Sequence, residues 1–209
     1  MKTIDEARLE TDLAYRYEYL AEFIGFSAED VARIHGLAVR LTPQIPAIVD
    51  ATYAKLLSYN ATARHFLPRQ FGFEGPLPDG LAALGDDAAQ IQFRKEHLRR
   101  YLQSLLGNSY DARMVKYLDV VGKIHTPQAG NKQIDVPLVQ MNALLGLLAD
   151  LLSEAIGALD LDRAEERLTQ RSFAKLLWIQ NDLINRHYGL PSSPPQTPTP
   201  PKPPRPAWR

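Results

Sequence analysis

Apolar residues recur every three or four positions along most of the chain, the spacing of one face of an α-helix. The stretch 69–85 interrupts this repeat with four glycines and two prolines, so it is predicted to be a loop with at most a short helical turn. No alternating pattern of useful strand length competes, and the sequence predicts an all-α fold. The predicted helices run over about Tyr15 to Phe26, Ala28 to Leu41, Ile45 to Leu57, Asp87 to Leu105, Tyr110 to His125, Val136 to Ala158 and Leu161 to Tyr188.

Several features inside these helices give sharper expectations. Ser109 is predicted to cap the helix that runs to His125, with Asp111 in its first turn. The helix from Val136 to Ala158 is dense in leucine and is expected to be the most buried. In the last helix, Trp178 is expected to belong to the apolar positions that face the core.

The amino-acid composition of the chain changes after Gly189. Nine of its sixteen prolines lie between Pro191 and Pro206, mixed with Ser, Thr, Gln, Lys and Arg. Such a segment buries too little apolar surface to offset its ordering entropy, so it is expected to be disordered with polyproline II character. The predicted organisation is an N-terminal extension over 1–14, one helical domain over 15–190 and a proline-rich tail over 191–209.

Composition narrows the classes of function. The 24 basic residues balance 24 acidic ones, whereas a nucleic-acid binder usually carries a basic excess. No window of about 18 unbroken apolar residues occurs, and the charged N-terminus has no apolar signal region, so neither a membrane span nor secretion is expected. Cysteine is absent, which removes disulfides, thiolate metal sites and covalent haem attachment. A cytoplasmic location is consistent with this composition.

His125 is the strongest candidate for chemistry. Read as a helix, the stretch before it places Met114, Leu118, Val121 and His125 on one stripe, and Thr126-Pro127 ends the helix. A histidine at the last turn of a core-facing helix is able to reach into a cavity. A structural role, with one ring nitrogen bonded to a carbonyl, is the alternative interpretation.

The other four histidines are less promising. His35 is expected at the surface, His65 near a loop, His97 on the flank of its helix and His187 close to the tail. No histidine has a carboxylate three residues before it, as a carboxylate-bridged di-metal bundle requires. Zinc-protease, phosphate-loop and nucleophile-elbow motifs are also missing. A single histidine on an apolar face suits axial ligation of a haem better than hydrolytic metal chemistry.

The order and spacing of several segments resemble the protoglobins and the globin domains of globin-coupled sensors. The similarity covers roughly Tyr15 to Tyr188 and implies a globin-like fold with an extra N-terminal helix. The segments that carry it are Phe23 to Asp30, similar to the entry into the family's A helix; Val49 to Tyr53, similar to its B helix; Arg94 to Tyr101, similar to its E helix; Ser109-Tyr110-Asp111 with Val121-Gly122 and His125, similar to its F helix; and Val136-Pro137, similar to the start of its G helix.

The resemblance implies roles for individual residues. His125 would be the proximal ligand of a non-covalent haem b, and Tyr53 would donate a distal hydrogen bond to a bound gas. A core aromatic is the alternative for Tyr53. Leu98 would lie over the iron, where many relatives have an aromatic, and Thr52, in place of a frequent tryptophan, would add a hydroxyl to the pocket. Residues expected to pack against the haem are Met114, Leu118 and Val121.

The implied function is reversible binding of O₂, CO or NO, for gas sensing or gas binding. A haem-free globin-fold sensory or interaction domain is one alternative, and a haem enzyme with NO dioxygenase-like or peroxidase-like activity is another. The last two helices would form a homodimer, as in relatives. No output domain is recognisable after Gly189, so sensing would need a separate protein partner; no nucleic acid or membrane partner is expected.

Overall fold

The computed structural model describes residues 1–188, and all regular structure in that part of the chain is helical. The all-α prediction is confirmed; the predicted disordered tail lies outside the described residues. Short 3₁₀ turns at Thr42–Gln44, Arg64–Phe66, Leu81–Ala83, Pro127–Ala129 and Arg186–Tyr188 join some of the helices. The α-helices are α1 Glu6–Thr11, α2 Leu13–Ile24, α3 Ala28–Gly36, α4 Ala38–Leu41, α5 Ile45–Leu57, α6 Asn60–Ala63, α7 Ala89–Gly107, α8 Ala112–Lys123, α9 Leu138–Gly157 and α10 Arg163–Asn185.

The N-terminal region holds one helix more than the apolar pattern indicated. Asp12 has an extended backbone, and its carboxylate accepts a hydrogen bond of 3.1 Å from the Tyr15 N–H, which caps the start of α2. The six residues of α1 lie before this cap, and none of them is buried. A helix without a buried face produces no apolar period, which is why the sequence pattern did not reveal it.

The last helix, α10, is the centre of the fold. It packs against α2, α3, α8 and α9, while α5 packs against α7 and α9. Eight residues of α10 are buried, compared with five of the twenty residues of α9. The prediction that the leucine-rich helix is the most buried is therefore wrong. The prediction for Trp178 is also wrong, because its side chain is 66% exposed.

Within residues 1–188, α9 is the one helix whose length and apolar composition would suit a bilayer span, although no such segment was expected from the sequence. Its packing explains this composition. It contributes Leu148, Leu152 and Ile156 to the hydrophobic core and lies against α5 and α10. Other positions remain at the surface, and Val139 is 73% exposed.

A buried carboxylate joins the start of α3 to α10. Asp30 is 6% exposed and accepts hydrogen bonds from Ser172 Oγ at 2.7 Å, Lys175 Nζ at 2.8 Å and the Ser27 N–H at 2.9 Å. Burial by itself would raise the pKa of Asp30, but these donors outweigh it and lower the pKa to about 2. The negative charge is therefore stabilised by the fold, and it connects two helices far apart in sequence.

Replacing Asp30 by asparagine is expected to lower the free energy of unfolding by about 2 kcal/mol at pH 7. Because the folded-state pKa is depressed, the contribution of Asp30 is complete above its ordinary pKa of 3.8 and is lost as the pH falls through about 2. Urea unfolding at several pH values measures this. Asp79→Asn, in an exposed loop, is the control. A difference between wild type and Asp30→Asn that stays constant from pH 7 to 3 would contradict the assignment.

Candidate functional site

A cavity of about 240 Å³ lies between α5, α7, α8 and α9. Its walls are completed by Thr62 of α6, the connection from α6 to α7, the loop after α8 and Ile184 of α10. Cavities of about 150 Å³ admit a benzene molecule. This cavity therefore accepts a ligand larger than one aromatic ring.

The walls of the cavity are mostly apolar, and they carry a positive charge without a carboxylate to balance it. Arg94 of α7 is a lining residue with a permanent positive charge, and no Asp or Glu of the described chain lines the cavity. The Nε atom of Arg94 is buried and has no hydrogen-bond partner within residues 1–188. An unpaired buried donor costs about 1–3 kcal/mol. The cavity therefore favours an occupant that brings an anionic acceptor.

Helix α8 forms the wall that ends near His125, and its first turn is capped by Asp111. The Asp111 carboxylate accepts hydrogen bonds from the backbone N–H groups of Arg113 at 2.9 Å and Met114 at 3.1 Å. The prediction that Ser109 caps this helix is wrong. Ser109 lies too far before the first helical residue to reach these N–H groups, whereas Asp111 directly precedes it.

A glycine allows α8 to lie directly on α10. A Cβ atom added to Gly122 would meet the carbonyl oxygen of Ile184 and would lie 2.7 Å from its Cα. The two backbones approach this closely because residue 122 has no side chain. Since Ile184 also lines the cavity, this contact fixes the position of α8 relative to the cavity.

His125 lies two residues beyond Lys123, the last residue of α8, so the predicted helix is too long at this end. Its Nδ1 is 2.7 Å from the carbonyl oxygen of Val121. A carbonyl oxygen only accepts hydrogen bonds, so Nδ1 carries the proton and Nε2 keeps a free lone pair. The backbone is also held, because the Val136 N–H donates to the His125 carbonyl at 3.0 Å.

Burial keeps the His125 ring neutral. It lowers the pKa of His125 to about 4, and the positive charge of Arg94 and the nearby His65 act in the same direction. His125 nevertheless lines the cavity, and the residue as a whole is half-buried. At neutral pH, His125 thus presents the form of imidazole that binds metals.

Tyr53 of α5 lines the same cavity. It is 4% exposed, and its ring packs against Phe66 with 5.6 Å between the ring centres. Burial raises the pKa of Tyr53, and the nearby Arg94 guanidinium opposes that rise. The phenol therefore stays protonated near neutral pH and keeps an O–H to donate.

The protoglobin family model matches residues 13–191 of this chain. This chain belongs to the protoglobin family. Globins as a class bind haem, so membership implies haem binding in general terms. Among solved structures, the protoglobin fold is similar to the globin domain of the Geobacter sulfurreducens globin-coupled sensor, at 19% identity and a TM-score of 0.66. That similarity covers 83% of this chain and 97% of the solved one, and at this identity it establishes the fold alone. No curated protein sequence matches the chain.

Two further residues predicted for the site of this protoglobin line the cavity, but they contribute differently. Leu98 of α7 is half-buried there and offers an apolar surface. Thr52 of α5 is fully buried, and its hydroxyl donates to the Ile48 carbonyl at 2.7 Å. Because its proton is used within its own helix, the Thr52 hydroxyl can offer the cavity only its oxygen lone pairs.

The predicted stripe on α8 does not face the cavity as a whole. Val121 lines the cavity, whereas Met114 and Leu118 lie in the hydrophobic core and are not lining residues. The prediction extended helical spacing as far as His125, whereas α8 ends at Lys123. The α8 side chains that do line the cavity are Tyr117, Val120 and Val121.

The sequence-based prediction of the site left out several polar residues of the cavity, among them Arg94, His65 and Tyr101. Arg94 and Tyr101 lie seven positions apart on α7, on either side of Leu98, and this i, i+4, i+7 spacing was the available signal. The Tyr101 hydroxyl is buried without a partner in the described residues. His65 gave no sequence signal, because it reaches the cavity from a 3₁₀ turn and bonds Gln140 Oε1 at 3.0 Å.

Proposed function

We propose that this protoglobin binds haem b non-covalently in the cavity, with His125 as the proximal iron ligand. We further propose that O₂, CO or NO would bind reversibly at the open position of the iron. The observation that carries this proposal is the unprotonated Nε2 of a neutral His125 beside a large apolar cavity. Globins hold haem iron through such a proximal histidine.

The donor set fits haem better than a metal held by protein ligands alone. Within residues 1–188, no three His, Asp or Glu side chains lie together in a way that could hold a metal ion. A metal bound to His125 would therefore take most of its ligands from its cofactor, as porphyrin nitrogens provide. Arg94 would pair with a carboxylate of the haem. When bound, haem supplies an iron with an open position for a gas.

The visible spectrum of the purified protein tests this function directly. A Soret band that shifts on reduction and again on addition of CO is the expected result. Protein that shows no such band after incubation with haem would contradict the proposal. That outcome would favour the alternative, a haem-free domain with a globin fold. The cavity argues against this alternative, since an unused cavity costs stability that a larger side chain would recover.

Replacing Tyr53 by phenylalanine is expected to speed dissociation of O₂ about fivefold or more. The Tyr53 hydroxyl would donate to the partly negative bound gas, and the loss of a hydrogen bond of about 1 kcal/mol corresponds to that factor. Flash photolysis or stopped-flow mixing measures the rate. Tyr101→Phe, a buried tyrosine of the same cavity, is the matched control. If Tyr101→Phe speeds dissociation and Tyr53→Phe does not, Tyr101 is the hydrogen-bond donor.

The proposal extends to assembly and location. We propose a homodimer through α9 and α10, because α9 leaves apolar surface at Leu138 and Val139 uncovered. Sedimentation at several protein concentrations tests the dimer. A cytoplasmic location, and a separate protein partner if the gas signal is passed on, complete the proposal.

A further inference from the structure

A second groove, distinct from the haem cavity, lies at the surface between α2 and α10. Its volume is about 560 Å³, and Leu20 and Ile24 of α2 provide its apolar side. Trp178 of α10 lies opposite them and is 66% exposed. A tryptophan left in water at the edge of an apolar groove is typical of a docking surface.

The charged side chains of this groove already have partners. Arg16 donates to Asp182 through bonds of 2.5 and 2.8 Å, and Arg186 donates to Asp119 at 2.8 Å. The exposed Trp178 indole, by contrast, has an N–H to donate and no acceptor. An exposed indole beside an apolar floor suits a ligand that presents apolar rings and carbonyl oxygens.

The chain itself contains a segment with this chemistry. Between Pro191 and Pro206, nine residues are proline, which has a backbone carbonyl and no N–H. Proline-rich segments dock into aromatic-lined grooves in several recognition domains, where exposed carbonyls accept hydrogen bonds. The rings and carbonyls of this segment therefore complement the exposed Trp178 indole and the apolar side of the groove.

Distance also favours this occupant. The described chain ends at Tyr188, two residues after Arg186, which lines the groove. From Arg186 back to Trp178 is about 12 Å along the helix, a span that about four residues of polyproline II cover. The segment that begins at Pro191 is therefore long enough to reach the indole.

We propose that the segment Pro191–Pro206 folds back onto its own chain and docks in the groove between α2 and α10, with Trp178 as its aromatic contact. The docked segment covers the exposed indole and brings the C-terminal end of the chain onto α10. This interaction is independent of haem and of the gas ligand.

Contact quenching of a fluorophore tests the docking in the full-length protein. The chain has no cysteine, so Thr197→Cys introduces a single site for bimane, whose emission is lost on contact with tryptophan. Trp208→Phe removes the other tryptophan. A loss of bimane emission that Trp178→Phe reverses is the expected result. Bimane at Ser58→Cys, at the end of α5, is the control and is expected to respond to neither substitution.

Two outcomes would overturn the proposal. Equal bimane emission at position 197 with and without Trp178 would mean that the segment does not reach the groove. Quenching that appears only when labelled Trp178→Phe chains are mixed with unlabelled chains would assign the groove to the segment of a second copy. Because all variants keep the haem cavity intact, neither outcome depends on whether haem binds.

Discussion

Replacement of His125 by alanine is expected to abolish the Soret band of the haem-loaded protein or to reduce it to a small fraction. His97 also lines the cavity and makes a similar Nδ1–H bond, to the Phe93 carbonyl at 2.8 Å, but it is an exposed residue. His125 combines the Nδ1–H bond with enough burial to lower its pKa to about 4. Removing it would leave the iron without its protein ligand. The measurement is the absorption spectrum and the rate of haem transfer to an acceptor protein.

Two other histidines provide matched controls for this substitution. His65 and His97 also line the cavity, so His65→Ala and His97→Ala change the same pocket without removing the proposed ligand. Both are expected to retain the Soret band. Free imidazole added to His125→Gly is expected to restore it, because the small base can occupy the vacated position. If His65→Ala loses the band and His125→Ala keeps it, the ligand is His65.

The pH dependence of haem binding follows from the same histidine. The pKa of His125 lies near 4, so its imidazole is neutral and able to bind metal at all pH values well above that. Haem affinity is therefore expected to stay constant from pH 8 to about 5 and to fall as the pH approaches 4. In the unfolded chain His125 has the ordinary histidine pKa of 6.5, so it takes up a proton at a higher pH than in the folded chain. Lowering the pH from 6.5 to about 4 therefore also lowers the free energy of unfolding.

Replacement of Gly122 by alanine is expected to lower the free energy of unfolding by about 3 kcal/mol, the upper end of the usual cost of overpacking. The added methyl group would collide with backbone atoms of Ile184, which cannot turn aside as a side chain does. Helices α8 and α10 would have to separate. Because His125 follows three residues later and Ile184 lines the cavity, weaker haem binding is expected as well. Urea unfolding and haem titration measure the two effects.

Gly146→Ala is the matched control for this steric argument. Gly146 also lies inside a helix, α9, but a Cβ added there meets no atom within 4 Å. Alanine at this position is expected to be neutral or to stabilise the fold by up to about 1 kcal/mol, since alanine favours helix over glycine. Equal destabilisation by Gly122→Ala and Gly146→Ala would mean that the close approach of α8 and α10 is not responsible.

The individual site residues differ in how well the sequence could predict them. The resemblance to protoglobins predicted that His125 and Tyr53 share a pocket, and both line the cavity. The same resemblance placed Met114 and Leu118 beside a haem, whereas they belong to the hydrophobic core and are not lining residues. Helical spacing gives the buried side of a helix, but it does not tell core from cavity, since both are apolar.

The sequence by itself determined the helical class, the approximate segments and the histidine at the end of α8, because helical period and proline are local properties of the chain. Tertiary structure decided which polar residues meet. Arg94 lies near Tyr53, His65 lies near His125, and Asp30 bonds Lys175, in each case across a long sequence separation. It also decided that α10 has more buried residues than the leucine-rich α9, because burial depends on the neighbours that a helix acquires and not on its own leucine content.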